Sequence, residues 1–360
     1  MGGIEFQRYL SFGGAAMVGG ALAVALFNWA VDPLQFYRKA SYPPLLLEQK
    51  RYQLPGLARH YDYDTVIVGT SVSENFHPRQ VAETLGGRAL NLAMQGASAR
   101  EQRLALEVAL RTGRVRRVLW EIHFEYLRGD PTWVANYDGA FPFYFYDQNP
   151  LNELPKYLLS VDTTKQSLKI LLARLGLWSY QARPPEEVFS WHQTRSFGPA
   201  SVRRAWQRAA QARPRLRAQL PEYALAHLNA NFDQNVLALL RAHPDVKFQL
   251  FFPPFLAAYY AHVQATAPEI LNNMLENRRH IFEQTRALPH VELFDFQCVP
   301  EWIFDLGDYC DLMHFNLRIN EAILRAIRDG HHRMSDGDSR PLRALLASPE
   351  LANWVRQHVE

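Results

Sequence analysis

Cysteine and net charge are both scarce in this chain of 360 residues. Its two cysteines exclude a disulfide-dense scaffold and a zinc site built from four thiolates. The 39 Lys and Arg nearly balance the 36 Asp and Glu, and a formal net charge of +3 gives no indication of a nucleic-acid partner. The sequence also lacks internal repeats and low-complexity tracts. A hydrophobic content of 48% excludes a disordered chain and predicts one large or two ordinary domains.

Charged residues are absent between Tyr9 and Val31. This run can cross a hydrocarbon core roughly 30 Å thick at about 1.5 Å per residue, and its many Gly and Ala are common in membrane helices. The alternative is a cleaved signal peptide. The run is longer than the apolar region of most signal peptides, and no clean cleavage site precedes the next charged residues. We therefore expect a short tail over 1–8 and one membrane anchor over 9–31.

The orientation of this anchor is nearly undetermined by charge. Arg8 lies before the run and is offset by Glu5, whereas Arg38 and Lys39 lie a little beyond its end. The positive-inside rule therefore favours neither side clearly. No second apolar run of comparable length follows, so a single-pass protein is expected.

Downstream of the anchor, buried strands alternate with helices. Short apolar runs predict strands at 65–70, 89–94, 115–124, 246–252 and 291–296. Helical patterns occur at 80–86, 97–112, 255–288 with a break at Pro268, and 316–329. This alternation predicts a three-layer α/β/α sandwich around a mostly parallel five-stranded sheet.

The predicted domain organisation follows from the same pass along the chain. Residues 32–60 are expected to form a linker and a short helix, and 61–335 the α/β domain. A long insertion at about 126–243 separates the third and fourth strands. Residues 336–360 are expected to form a helical extension.

The insertion has an aromatic part and a basic part. The aromatic residues are Trp133, Tyr137, Phe141, Phe143, Tyr144, Phe145 and Tyr146. They can stack on sugar rings or pack the insertion on the main domain. Seven arginines follow with no acidic residue among them: Arg195, Arg203, Arg204, Arg208, Arg213, Arg215 and Arg217. They can bind an anionic polysaccharide or lipid headgroup, or form a solvated helix face.

Three segments carry residues suited to acyl chemistry: two follow predicted strands directly, and the third lies between the fifth strand and the last helix. Ser71 follows the first strand in Gly-Thr-Ser, where open α/β sheets place ligands. Gly96 follows the second strand, where its N–H can help to form an oxyanion hole. Asp311 precedes His314 by three residues and can orient its imidazole. Taken singly, each has a structural alternative: a helix cap for Ser71, a tight turn for Gly96 and a structural histidine for His314. Their order along the chain is that of a Ser-Asp-His triad.

These segments resemble the sequence blocks of the SGNH (GDSL-type) hydrolase superfamily. GTSVSENF at 69–76 resembles the nucleophile block, NLAMQG at 91–96 the glycine block, and YCDLMHFN at 309–316 the Asp-x-x-His block. The resemblance implies a flavodoxin-like fold with Ser71 as nucleophile, His314 as general base and Asp311 as its orienting carboxylate. It implies oxyanion donors at the Ser71 and Gly96 N–H groups. Membrane-anchored extracytoplasmic members are associated with O-acylation of polysaccharides or D-alanylation of cell-wall polymers.

One block of the superfamily is missing. Its members usually carry Gly-x-Asn after the third strand, and that Asn donates to the oxyanion. Here the chain continues as WEIHFE at 120–125, which leaves His123 and Glu125 as candidates for the position. A carboxylate such as Glu125 can donate only when protonated. Loss of one such donor costs roughly 10²–10³ in rate in other enzymes.

The two cysteines stand close to the Asp-x-x-His block. In an oxidising compartment a Cys298–Cys310 disulfide would clamp the loop that delivers Asp311, whereas in the cytosol both thiols would be free.

Asp308, Asp311 and His314 lack the further ligands that a metal site needs, so we expect neither a metal nor a cofactor.

The sequence thus predicts a single-pass inner-membrane protein whose catalytic domain faces the periplasm or cell exterior. Its expected activity is that of a serine esterase or O-acyltransferase acting on a cell-envelope polysaccharide, with a membrane acyl-donor protein as a further partner. The rival from another class is a catalytically degenerate scaffold that binds polysaccharide or a membrane partner. A lipid-modifying esterase is the third hypothesis.

Overall fold

The structure is a computed structural model that describes residues 2–42, 44–45, 49–137, 139–147, 149, 154–180, 191–337 and 339–360. The chain divides into two compact units. The smaller unit comprises Met1–Tyr61 and Pro142–Pro185, and the larger comprises Asp62–Phe141 and Glu186–Glu360.

The bounds of the regular elements are as follows. The strands are β1 Thr65–Val68, β2 Ala89–Asn91, β3 Arg117–Glu121, β4 Lys247–Phe252 and β5 Val291–Asp295. The helices are α1 Gly2–Val31, α2 Lys50–His60, α3 Pro78–Leu85, α4 Ala99–Leu110, α5 Phe143–Tyr146, α6 Val161–Arg174, α7 Pro199–Gln211, α8 Arg213–Ala218, α9 Leu225–Phe232, α10 Ala238–Ala242, α11 Ala257–Thr266, α12 Pro268–Thr285, α13 Pro300–Ile303, α14 Leu317–Asp329, α15 Arg340–Ala347 and α16 Pro349–His358.

The larger unit is built on a parallel sheet with the order β2-β1-β3-β4-β5. Every neighbouring pair of strands is parallel. The strand residues are almost all buried, as expected for continuous apolar runs in a parallel sheet. All five predicted strands are confirmed, although each is shorter than predicted. The chain order reverses between β1 and β3, and ligands bind such sheets at the carboxyl ends of strands beside this reversal.

The helices of the larger unit have clear end signals. A capping box of Ser98 and Glu101 starts α4, and the Asn316 side chain caps α14, which ends at a left-handed Gly330. The predicted break at Pro268 is confirmed, because α11 ends at Thr266 and α12 begins at Pro268. The helices α15 and α16 lie within the predicted C-terminal extension.

The smaller unit contains the apolar N-terminal helix. Within α1, Gln7–Val31 has a mean hydropathy of 1.9 over its most apolar window and is long enough to cross a membrane. At the end of the helix, the Asn28 amide donates to Leu158 O and to Thr164 Oγ1, each at 2.8 Å. The buried Asp32 carboxylate accepts from the Tyr157 hydroxyl at 2.8 Å.

These contacts explain a difference from the predicted domain boundaries. The predicted insertion, 126–243, is divided between the units, because Pro142–Pro185 belongs with the N-terminal segment. The polar groups of Asn28 and Asp32 find their partners there. Only residues on either side of 142–185 remain with the sheet.

In the larger unit, Asn91 joins the end of β2 to the loop that follows β1. Its amide donates to Ser73 O at 2.9 Å and Phe76 O at 3.0 Å, and its Oδ1 accepts from the Ala93 N–H at 2.8 Å. The side chain therefore fixes the backbone just beyond Ser71.

We predict that Asn91→Ala lowers the free energy of unfolding by about 1–3 kcal/mol, because it leaves buried backbone groups unpaired. Chemical denaturation of the full-length protein in detergent measures the change. The matched control is Asn353→Ala on the exposed surface of α16, expected to stay within about 0.5 kcal/mol of the unmodified protein. Equal effects of the two substitutions would contradict this role of Asn91.

Candidate active site

Ser71, His314 and Asp311 form a connected set of hydrogen bonds. Ser71 Oγ lies 2.7 Å from His314 Nε2, and His314 Nδ1 lies 2.8 Å from Asp311 Oδ2. The other carboxylate oxygen of Asp311 accepts the backbone N–H groups of Met313 and His314, each at 2.8 Å. The structure thus brings together the three residues that the sequence predicted as a triad, from positions 243 residues apart at their extremes.

The pKa shifts of this set favour an ionised Asp311 and a basic His314. Burial opposes the charge on Asp311, but His314 and the two backbone N–H groups outweigh it and lower the pKa of the carboxyl to about 2. Burial likewise disfavours an imidazolium at His314, yet the Asp311 carboxylate outweighs burial and raises the pKa of the imidazole. A neutral imidazole held by Nδ1 leaves Nε2 to accept the Ser71 proton.

A fully buried carboxylate, Glu121, lies beside the loop that carries Ser71. One of its oxygens accepts from Thr70 Oγ1 at 2.6 Å and lies 2.8 Å from His123 Nε2. The other accepts from the Ser73 hydroxyl. Burial raises the pKa of Glu121, but the hydrogen bonds from His123, Ser73 and Thr70 together leave it below its ordinary value. The residues on both sides of Ser71 are therefore tied to one anion at the end of β3.

Gly69 is required by the close approach of this carboxylate. A Cβ at Gly69 would lie 2.6 Å from Ser73 Oγ and 2.7 Å from Glu121 Oε2. Since real Cβ atoms do not approach so closely, a side chain here would displace the hydrogen bond between Glu121 and Ser73. The Gly-Thr-Ser sequence thus gives room for the buried anion as well as a tight turn.

The two predicted oxyanion donors lie on adjacent turns. The Met94 N–H donates to Gly69 O at 3.1 Å, which holds the turn containing Gly96 beside the turn containing Ser71. Gly96 has φ +60, and a Cβ there would meet the Tyr137 ring at 2.8 Å. Among the described residues, neither the Ser71 N–H nor the Gly96 N–H donates to a protein acceptor. Both donors are therefore available to a ligand.

A cavity of about 100 Å³ opens at Ser71. It is lined by Ser71, Gln95, Trp191, Thr194, Arg195, Cys310, Asp311 and His314. Trp191 donates its indole N–H to Ser71 O at 2.7 Å, and its ring meets the His314 ring edge-on at 5.2 Å. The insertion therefore supplies part of this site.

The sequence did not predict that Trp191 and Glu121 would lie at the site. For Glu121 the available signal was an acidic residue at the end of an otherwise apolar strand.

His123 and Glu125, the two candidates for the missing Asn, are not among the residues that line this cavity. His123 is buried, pairs with Glu121 and packs edge-on against Tyr126. Glu125 accepts a hydrogen bond from the Tyr223 hydroxyl at 2.6 Å and pairs with Arg128 at 3.3 Å. The expectation that His123 or Glu125 supplies the third oxyanion donor is therefore not supported, because each side chain has other partners.

Both cysteines are free thiols in the structure, which is one of the two alternatives that the sequence leaves open. Burial raises the pKa of Cys298 to about 12, with Asp295 adding to the shift. Burial also raises the pKa of Cys310 to about 12, with Asp311 adding to it. Cys310 lines the Ser71 cavity as a protonated thiol, which is a weak nucleophile.

A second cavity, of about 380 Å³, reaches Asp311 and His314. Its apolar wall includes Ala205, Ala209, Leu216, Val263 and Leu312, and two arginines of the basic run, Arg208 and Arg215, also line it. Both arginines are exposed. The basic run thus places cations in a cavity that adjoins the triad residues.

The aromatic residues of the insertion lie in two different environments. In the smaller unit, Phe145 is buried against Phe36 and Tyr157, with ring centroids 4.9 and 5.4 Å away. In the larger unit, Tyr137 is exposed beside Gly96 and accepts a hydrogen bond from the Gln95 amide at 3.0 Å. Packing accounts for Phe145, whereas Tyr137 lies at the edge of the candidate site.

Comparison with known proteins adds little to this geometry. No family model matches the chain, and no curated protein matches it. One similar solved structure is described as that of a "putative platelet activating factor from Streptococcus pneumonia". The two chains are 14% identical, the alignment covers 83% of this chain and 92% of that one, and the TM-score is 0.36.

We predict that the pKa of His314 lies above the ordinary histidine value of about 6.5, so the imidazole stays protonated to higher pH. Asp311→Asn removes the stabilising charge and should lower this pKa. Titration of ¹⁵N-histidine resonances by NMR measures both, and His314→Gln assigns the signal. A His314 pKa below 6.5, or one unmoved by Asp311→Asn, would contradict the electrostatic assignment.

Proposed function

We propose that the chain is a membrane-anchored serine esterase or O-acyltransferase of the SGNH type. The hydrogen bond between Ser71 Oγ and His314 Nε2, at 2.7 Å, is the observation that carries this proposal. Asp311 holding the opposite ring nitrogen and the free N–H groups of the adjacent turns support it. The proposal includes a three-layer α/β/α arrangement about the observed parallel sheet.

The proposed first half-reaction acylates Ser71. His314 Nε2 takes the hydroxyl proton while Ser71 Oγ attacks the ester carbonyl carbon. The Ser71 and Gly96 N–H groups donate to the tetrahedral oxyanion. The C–O bond to the leaving alcohol then breaks, and the imidazolium returns its proton to the alcohol oxygen. Asp311 stays ionised and stabilises the imidazolium.

In the second half-reaction a hydroxyl group resolves the acyl-serine. The acceptor gives its proton to His314 Nε2 and attacks the acyl carbon, after which Ser71 leaves and regains a proton. The acceptor is water in an esterase and a sugar hydroxyl in a transferase. We favour transfer to a cell-envelope polysaccharide, because an anchor would keep the chain at a membrane where acyl donors and exported polymers meet. The second cavity offers room for an acceptor beside His314.

The alternative is a degenerate scaffold that binds polysaccharide or a membrane partner. The missing Asn favours it, since neither His123 nor Glu125 lines the Ser71 cavity. Covalent reactivity of Ser71 distinguishes the two hypotheses, because a scaffold needs no activated nucleophile. We also propose that the catalytic domain faces the periplasm or cell exterior, which topology mapping tests. A lipid-modifying esterase is the third hypothesis, and a preference for long acyl chains would distinguish it.

We predict that a fluorophosphonate probe labels the full-length protein at Ser71 and that Ser71→Ala abolishes labelling and turnover of a chromogenic acetate ester. The matched control is Cys310→Ser, a nucleophile candidate in the same cavity. It should retain most labelling because its thiol is protonated at neutral pH. Labelling that survives Ser71→Ala, or a failure of the probe to label the unmodified protein, would contradict the enzymatic proposal.

We also predict that Trp191→Phe slows fluorophosphonate labelling about fivefold, since it keeps a ring against His314 but loses one hydrogen bond worth about 1 kcal/mol. Labelling rates of the intact protein give the comparison. Trp354→Phe on α16 is the control and should label at the unmodified rate. An unchanged rate in Trp191→Phe would show that the indole N–H does not help to position Ser71.

A further inference from the structure

Helix α6 in the smaller unit exposes a stripe of large apolar side chains. Val161, Leu168, Leu171 and Leu175 are 69%, 48%, 37% and 63% exposed. Their spacings of three, four and seven residues place them on one side of the helix. Single exposed leucines are common in soluble proteins, but a continuous stripe marks an interaction surface.

The opposite side of α6 is already packed. Thr163, Ser167 and Ile170 are buried, and their spacing defines a face that differs from the apolar stripe. The Thr164 hydroxyl, on the next residue, accepts a hydrogen bond from the Asn28 amide of α1 at 2.8 Å. Helix α6 is thus fixed to α1 at Thr164, which lies three residues after Val161 and four before Leu168, and the apolar side chains of the stripe remain exposed beside this contact.

Both ends of α6 lie near the carboxyl end of α1. Thr164, near the start of α6, bonds to Asn28 only three residues before Val31. At the other end, Arg174, the last residue of α6, and Tyr180 beyond it interact electrostatically with Tyr42. The Tyr42 hydroxyl in turn donates to Val31 O, the last residue of α1. If α1 crosses a bilayer, α6 therefore lies at the level where α1 leaves it.

The side chains around this level match a membrane interface. Lys165 and Lys169 flank the apolar stripe, and Lys169 lies 5.9 Å from the ring of the half-exposed Trp178. At the end of α1, the Arg38 guanidinium lies 4.4 Å from the Trp29 ring, which is 48% exposed. Tryptophan and lysine are enriched where hydrocarbon meets headgroups, and helices with an apolar face and flanking cations lie in that plane.

We propose that α6 is a second membrane contact, which lies in the bilayer interface beside the exit of α1 and binds anionic phospholipid headgroups. Leu168, Leu171 and Leu175 enter the acyl boundary, while Lys165 and Lys169 contact the phosphates. The inference rests on the proposed insertion of α1 but not on the chemistry at Ser71. The test also distinguishes lipid contact from the alternative that a second copy of the chain or another membrane protein covers this stripe.

The test uses full-length protein in nanodiscs of phosphatidylcholine and phosphatidylglycerol. Single cysteines at positions 22, 162 and 171 are introduced into a Cys298→Ser, Cys310→Ser background, labelled with a fluorophore and exposed to spin-labelled lipid. The variants are Leu22→Cys on α1, Asp162→Cys on the polar side of α6 and Leu171→Cys on its apolar stripe. An unchanged circular dichroism spectrum checks that each variant is folded.

The expected result is quenching at position 171 of at least about half the extent at position 22, with much weaker quenching at position 162. Lys165→Glu and Lys169→Glu should each reduce quenching at position 171 about fivefold in discs that contain phosphatidylglycerol, and should leave quenching at position 22 unchanged. Strong quenching at 22 with none at 171 would overturn the proposal while keeping the anchor. A probe at 171 that is shielded from water but unquenched, in discs holding two chains, would assign the stripe to a second copy and also overturn it.

Discussion

The contact between Ser71 and His314 depends on how a parallel sheet gathers distant parts of the chain. Parallel strands present their carboxyl ends at one edge, so the loop after β1 meets the segment between β5 and α14. At that edge Asp311 accepts two backbone N–H groups and the His314 imidazole together. The fixed carboxylate then sets both the direction of the ring and the basicity of the nitrogen that faces Ser71.

A second anion holds the nucleophile loop from the other side. Glu121 ends β3, and its hydrogen bonds to Thr70 and Ser73 leave Ser71 between two fixed residues. A buried carboxylate is costly unless its oxygens are paired, and His123 supplies a further partner. This use of His123 also explains why the residue does not serve at the Ser71 cavity. The loop is thus positioned by polar pairing inside the core, whereas the cavity above it is completed by Trp191.

Local patterns in the sequence predicted much of the sheet and the triad. Five apolar runs bounded by turn residues predicted the strands, and Asp311 and His314 are close enough in sequence to predict their mutual hydrogen bond. Contacts across long separations left no such pattern. Trp191 lies in an insertion without a motif, and the partners of Asn28 and Asp32 are more than a hundred residues away. Spacing alone likewise could not decide the state of Cys298 and Cys310, because pairing depends on where each thiol lies in the fold.

The central claim is that Ser71 carries the acyl group between donor and acceptor. Acid quenching of the full-length protein during turnover of an acetate ester, followed by peptide mass spectrometry, measures this directly. The account predicts one acetyl group on the peptide containing Ser71 and none on the peptide containing Cys310. Acetylation of Cys310 with an unmodified Ser71, or turnover with no acylated peptide of either kind, would contradict it.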